Sequence, residues 1–161
     1  MLSTNGDGTG TTSAIGNYAS TAETFELVAG PASPSLVVRR MLVTVRDSGA
    51  FDAELYGNGV ELPNGLTLHV ADADDVLLYS LTPTPIVRNA DWTSVCYDAQ
   101  ILTWGIGDEF LAVRWTFAKS MHDSEGGIVL EAGDKLVLTA NDDLTSLIDH
   151  TFTCEGYALA S

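Results

Sequence analysis

From about residue 22 onward, apolar and polar side chains alternate with a period of two. In "TFELVA", Phe25, Leu27 and Ala29 fall on one face. "LVVRRMLVTVRD" does the same with Met41, Val43 and Val45, and "LTLHVA" with Leu66, Leu68 and Val70. The pattern is cleanest in "EFLAVRWTF", where Leu111, Val113, Trp115 and Phe117 alternate with Ala112, Arg114 and Thr116. "DKLVLTA" aligns Leu136 with Leu138, and "HTFTCEGY" aligns Phe152 with Cys154. Successive residues of a strand point to opposite faces, so this alternation predicts strands that bury one face. "DVLLYSL" is apolar on both faces and predicts a more buried strand. "YDAQILTW" is less regular and is read as extended. No stretch of helical period exceeds a dozen residues. The nearest, "DWTSVCYDA", sets Trp92, Val95, Cys96 and Ala99 at helical spacing and suits a turn or two of helix or an irregular lead into a strand.

Clusters of turn-forming residues separate these segments: "AGPASP", "DSG", "YGNG", "LPNG", "TPTP", "GIGD", "SEGG" and "EAGD". About eight antiparallel strands without helical crossovers predict an all-β fold, a sandwich or a barrel. Residues 47–65 and 82–96 are too long for tight hairpins, and such long returns favour Greek-key wiring. A β-sandwich of the jelly-roll type is therefore the leading expectation. An immunoglobulin-like sandwich comes second, because its Cys…Trp…Cys pattern is matched only loosely by Cys96, Trp104 or Trp115, and Cys154.

Residues 1–21 differ from the rest. They are mostly Gly, Ser, Thr and Asn, with Ile15 and Tyr18 as isolated apolar points. Such a segment cannot offset its ordering entropy by burial within itself. It is expected to be a flexible N-terminal arm ahead of a sandwich domain spanning 22–161, ordered only against a neighbouring subunit. Ile15, Tyr18 and Phe25 are the candidate interface residues.

Charge narrows the partners. With 22 acidic and 7 basic residues, the formal net charge is -15. That favours solubility and argues against nucleic acid, whose phosphates need Lys and Arg to displace their counterions. Arg39 and Arg40, the only adjacent basic pair, point to opposite faces on a strand. No apolar run approaches the ~20 residues that span a bilayer, so no membrane partner is expected. The opening "MLSTNGDGTGTTSAIGNYAS" has neither the positive start nor the apolar stretch of a signal peptide. Cys96 and Cys154 do not make a disulfide framework and read as two buried free thiols, with one bridge as the alternative.

Candidate chemistry is sparse. "NDDLTSLIDH" (141–150) gathers three aspartates and a histidine. Asp142 or Asp143 suits the cap of a short helical turn, with Leu144, Leu147 and Ile148 closing it onto the sandwich. His150 then starts the last strand on the face of Phe152 and Cys154. His150 and Cys154 stand roughly 13 Å apart along a strand and cannot share one zinc ion. The "DADD" of 72–75 reads as a solvated hairpin tip. No nucleophile elbow or phosphate loop is present, and His69, His122 and His150 lie near no nucleophile motif. The expectation is a protein without catalytic residues, metal or cofactor. Trp115 belongs to the core set, while Trp92 and Trp104 lie near loops and are candidate glycan contacts, with core packing the competing use.

Four stretches together resemble a known family: "RMLVTVRDSGAFDAELYGNGVELPNGL", "WTSVCYDA", "WGIGDEFLAVRWTFAK" and "LTANDDLTSLIDHTFTCEGY". The set is similar to small all-β structural proteins of tailed-bacteriophage virions, over roughly residues 36–158. The resemblance carries no catalytic motif. It implies a non-enzymatic virion protein, a capsid decoration or cement protein on the shell surface. Its partners would be the major capsid protein and further copies of itself, as a trimer by analogy. A tail, neck or fibre-associated role and a host-glycan-binding module are the alternatives.

Overall fold

A computed structural model describes residues 12–14, 23–29, 35–47, 54–57, 62–92, 101–104, 109–117, 126–144, 147 and 149–158. These form ten strands: β1 (Thr12–Ala14), β2 (Glu23–Val28), β3 (Leu36–Asp47), β4 (Leu66–Ala71), β5 (Leu77–Ser80), β6 (Ile101–Trp104), β7 (Glu109–Thr116), β8 (Ile128–Leu130), β9 (Lys135–Ala140) and β10 (Asp149–Ala158). The protein is an all-β sandwich of two antiparallel sheets. One sheet runs β1-β10-β3-β7-β6, with β8 also paired to β3. The other runs β2-β9-β4-β5.

β3 organises the larger sheet. Its twelve residues pair along one side with β10 and along the other with β8 and then β7. The alternation read from the sequence sets what faces inward. Met41, Val43 and Val45 lie opposite Cys154, Phe152 and His150 on one side, and Met41 and Val43 lie opposite Trp115 and Val113 on the other. All are buried. From the smaller sheet, Leu27, Leu66, Leu68, Val70, Leu136 and Leu138 close the same core. A row of apolar side chains on each inner face is what a two-layer sandwich requires. On the outer face, Thr44 hydrogen-bonds Thr151 across the β3–β10 pair.

Three expectations change. First, the described residues form ten strands, where the sequence suggested about eight. β8 is only three residues long, too short to show a period. Second, Thr12–Ala14, expected within the free arm, pair with Phe152–His150 of β10. The sandwich therefore includes residues ahead of the anticipated boundary at 22. Third, "DVLLYSL" is not a buried strand. Leu77, Leu78 and Ser80 are exposed and only Tyr79 turns toward the core. β5 is the terminal strand of its sheet among the described residues, and local sequence does not reveal which strand will end a sheet. A bulge adds to the effect: Val70 pairs with Tyr79 and Ala71 with Leu77, leaving Leu78 as the extra residue.

Candidate functional site

The acidic corner after β9 is a structural clamp. Asp142 reaches across to the turn before β4. Its carboxylate accepts the main-chain N–H of Gly65 at 2.6 Å, the N–H of Asn64 at 3.1 Å and the Asn64 side-chain amide at 2.8 Å. Asn141 adds its side-chain amide to the Gly65 carbonyl at 2.9 Å. Gly65 sits at φ +73°, and a Cβ there would lie 2.8 Å from the Ile86 carbonyl oxygen. The turn is thus fixed from both sides. The expected capping role for Asp142 is replaced by this longer-range one. Leu144 and Leu147 are buried as anticipated, and the Leu147 N–H donates to the Leu144 carbonyl. Thr145, Ser146 and Ile148 lie outside the described residues.

Among the described residues no group of three or more His, Cys, Asp and Glu is placed to hold a metal ion. Asp142→Ala is expected to cost about 1.5–3 kcal/mol, the usual range for hydrogen bonds to a charged group. Added calcium is expected to leave the melting temperature of the unmutated protein unchanged. A calcium-dependent rise would mean that this corner binds the ion.

His150 is more deeply placed than a core rim. It is buried on β10, and its Nε2 lies 2.8 Å from the Tyr56 hydroxyl, itself buried. This pair ties the 54–57 segment to the sandwich. The same segment is held by Asn89, whose side-chain amide accepts the Gly57 N–H at 3.1 Å and donates to the Gly57 carbonyl at 2.9 Å. Neither Tyr56 nor Asn89 was singled out in the sequence, and only the "YGNG" turn cluster hinted that this loop is shaped.

The hairpin tip at 72–75 behaves as expected. Asp72 Oδ1 accepts the N–H groups of Asp74 and Val76, both at 2.9 Å. Asp75 takes a positive φ of 63° and forms an ion pair with Lys135.

An open groove of about 940 Å³ lies beside the C-terminal end of β5. Leu81, Val87 and three prolines, Pro63, Pro83 and Pro85, give it an apolar lining. Asn64, Thr84, Arg88 and Asp91 supply its polar rim. The Asp91 carboxylate accepts the N–H groups of Val87 at 3.0 Å and Arg88 at 3.2 Å. Arg88 pairs with Asp91 at 3.0 Å and with Glu54. These contacts stiffen the wall of the groove and hold the guanidinium at its rim.

The candidate aromatic platform does not form around Trp92. Its side chain is 0% exposed and belongs to the core, so it cannot stack on a sugar. A large apolar ring next to a loop found more to bury inward than outward. Trp104 pairs with Phe110 on the edge strand β6, and its side chain lies outside the described set. Among the proposed interface residues, Phe25 sits on β2 opposite Leu138, with its side chain likewise outside that set. Ile15, Tyr18, His122 and Cys96 lie outside the described residues altogether. Cys154 is a free thiol in the core, and burial pushes its ionisation far above the usual range. Burial also lowers the pKa of His69, with Glu26 opposing the shift. Burial, aided by Asp134, pushes Tyr79 up to about 12.

No known family, curated protein or solved structure matches the chain.

Proposed function

We propose that this protein is a non-enzymatic structural component of a tailed-phage virion, a decoration or cement protein bound to the outer face of the capsid. The observation that carries this reading is the anchoring of the N-terminal segment. β1 lies at the edge of the larger sheet, and eleven residues precede it. That stretch, "MLSTNGDGTGT", has one acidic and no basic side chain on a chain of net charge -15. Its composition offers little apolar surface to bury. A neighbouring capsid subunit would supply the burial that offsets its ordering cost.

Strand order supports the same reading. With β6 and β8 set aside, β1-β10-β3-β7 faces β2-β9-β4-β5. Two nested Greek keys produce that order, and we take the sandwich to be a jelly roll. The net charge suits an outward-facing surface better than one turned toward packaged phosphates. The major capsid protein is the proposed partner.

Truncation tests the arm. Removing residues 1–11 is expected to leave β1 paired and the melting temperature within a few degrees of the full chain. The truncated protein should release from the virus's capsids at least tenfold more readily. Equal retention of the two proteins on shells would rule out the arm as the attachment. Removing 1–21 is a poorer test, because it also strips β1 from β10.

A further inference from the structure

Asparagine followed by glycine is especially prone to spontaneous deamidation, because glycine has no side chain to shield its own nitrogen. The chain contains three such pairs: Asn5–Gly6, Asn58–Gly59 and Asn64–Gly65. The first two lie outside the described residues, and the third is the turn that Asp142 clamps. In the reaction, the Gly65 nitrogen bonds to the side-chain carbonyl carbon of Asn64, and the bond from that carbon to Nδ2 breaks. The amide leaves as ammonia, carrying the proton from Gly65, and a cyclic succinimide remains. Water then opens the ring at either carbonyl and leaves aspartate or isoaspartate. Asn64 is exposed, so water reaches it, and what stands against the reaction is geometry and charge.

Asp142 contacts both reacting groups. Its Oδ2 accepts the Gly65 N–H at 2.6 Å, and its Oδ1 accepts a hydrogen bond from Asn64 Nδ2 at 2.8 Å. Asn141 holds the next peptide, donating its main-chain N–H and its side-chain amide to the Gly65 carbonyl at 3.2 and 2.9 Å. Attack requires the Gly65 nitrogen to lose its proton and to approach the Asn64 side-chain carbon in line. A carboxylate is too weak a base to take an amide proton. Its negative charge also disfavours the nitrogen anion that attacks, as any like charge does. Asp142 is therefore a lock on this turn and not a base.

We propose that Asn64–Gly65 is a latent deamidation site, held closed by Asp142, and that its modification opens the clamp for good. The product carboxylate replaces an amide that donates to Asp142, so two like charges meet where a hydrogen bond was. Isoaspartate also adds a methylene to the main chain, which moves the Gly65 N–H away from its acceptor. Either product detaches the turn before β4 from the corner after β9. Pro63 and Asn64 line the groove beside β5, so the groove wall changes with it. The inference rests on the clamp alone and not on where the protein works.

Peptide mapping by mass spectrometry, after incubation of the full chain at neutral pH, decides it. In guanidinium chloride the three Asn–Gly pairs are expected to react at similar rates, because local sequence alone then sets them. In the folded chain Asn64 is expected to react at least tenfold more slowly than in denaturant, since a misplacement of about 1 Å suffices for a loss of that order. Asp142→Ala is expected to speed the folded-state reaction at Asn64 at least fivefold. Leu27→Ala removes a buried side chain opposite Leu136, at the far end of β9, and is expected to leave Asn64 slow. Asn64→Asp, which installs the product carboxylate, is expected to melt below Asn64→Ala, which only removes the donor. A folded chain that deamidates at Asn64 as fast as in denaturant overturns the proposal. So does an Asp142→Ala variant no faster than the parent, or one matched by Leu27→Ala. Asn64→Asp melting at or above Asn64→Ala overturns the permanent opening.

Discussion

Trp92→Ala is expected to destabilise the fold by about 3–5 kcal/mol, the range for removing a buried tryptophan. Trp92 is among the largest fully buried side chains and belongs to the core cluster. Its loss leaves a cavity that neighbouring strands, fixed by their ladders, cannot fill. The indole Nε1 has no hydrogen-bond partner among the described residues. Trp92→Phe removes that uncompensated N–H and keeps most of the volume, so it is expected to cost under about 2 kcal/mol. Urea unfolding should show the midpoint falling steeply for the alanine variant with the slope unchanged. An unchanged midpoint would mean that the ring is not a core residue and would reopen the sugar-stacking use.

Asn89→Ala comes next, at about 3 kcal/mol. The Asn89 amide reads both main-chain groups of Gly57 as a neighbouring strand would. Truncation strands a buried N–H and a buried carbonyl, each costing about 1–3 kcal/mol when unpaired. For a chain of this size that is a fall of about 6–12 °C in melting temperature. Asn89→Asp should not rescue it, because the donor is lost and a charge is buried instead. Gly57 cannot adjust to compensate. Its φ of +59° suits glycine, and a Cβ would lie 2.5 Å from Leu147 Cδ2 and 2.8 Å from Asp47 Oδ2. Gly57→Ala is therefore expected to be at least as damaging. A melting temperature within 2 °C of the parent for Asn89→Ala would contradict this reading, taking about 2–4 °C per kcal/mol.

The strands that bury one face were legible in the sequence. "LVVRRMLVTVRD" is β3 to the residue, and "EFLAVRWTF" overruns β7 by one residue, Phe117. Their period of two survives because each is paired on both sides and has one face on the core. What escaped is set by distant contacts. β1 is a Thr-Ser-Ala triplet whose only mark is its partner, β10, at the far end of the chain. β5 carries a core-like composition at a sheet edge, so its burial was inverted. Asp142 was noticed as a carboxylate near a turn, but the N–H groups that donate to it lie 77 and 78 residues away. Asn89 and Gly57 are 32 residues apart, and no local pattern joins them. Trp92 was visible as an aromatic near a loop, and nothing local fixes which way such a ring turns.

The most direct test of the proposed capsid role is co-sedimentation of the purified full chain with tail-free expanded phage capsids, followed by quantitation of bound copies. A cement protein saturates the shells at a fixed ratio of many copies per particle, independent of any tail. Absence of the protein from the capsid pellet under the same conditions would contradict a place on the capsid surface.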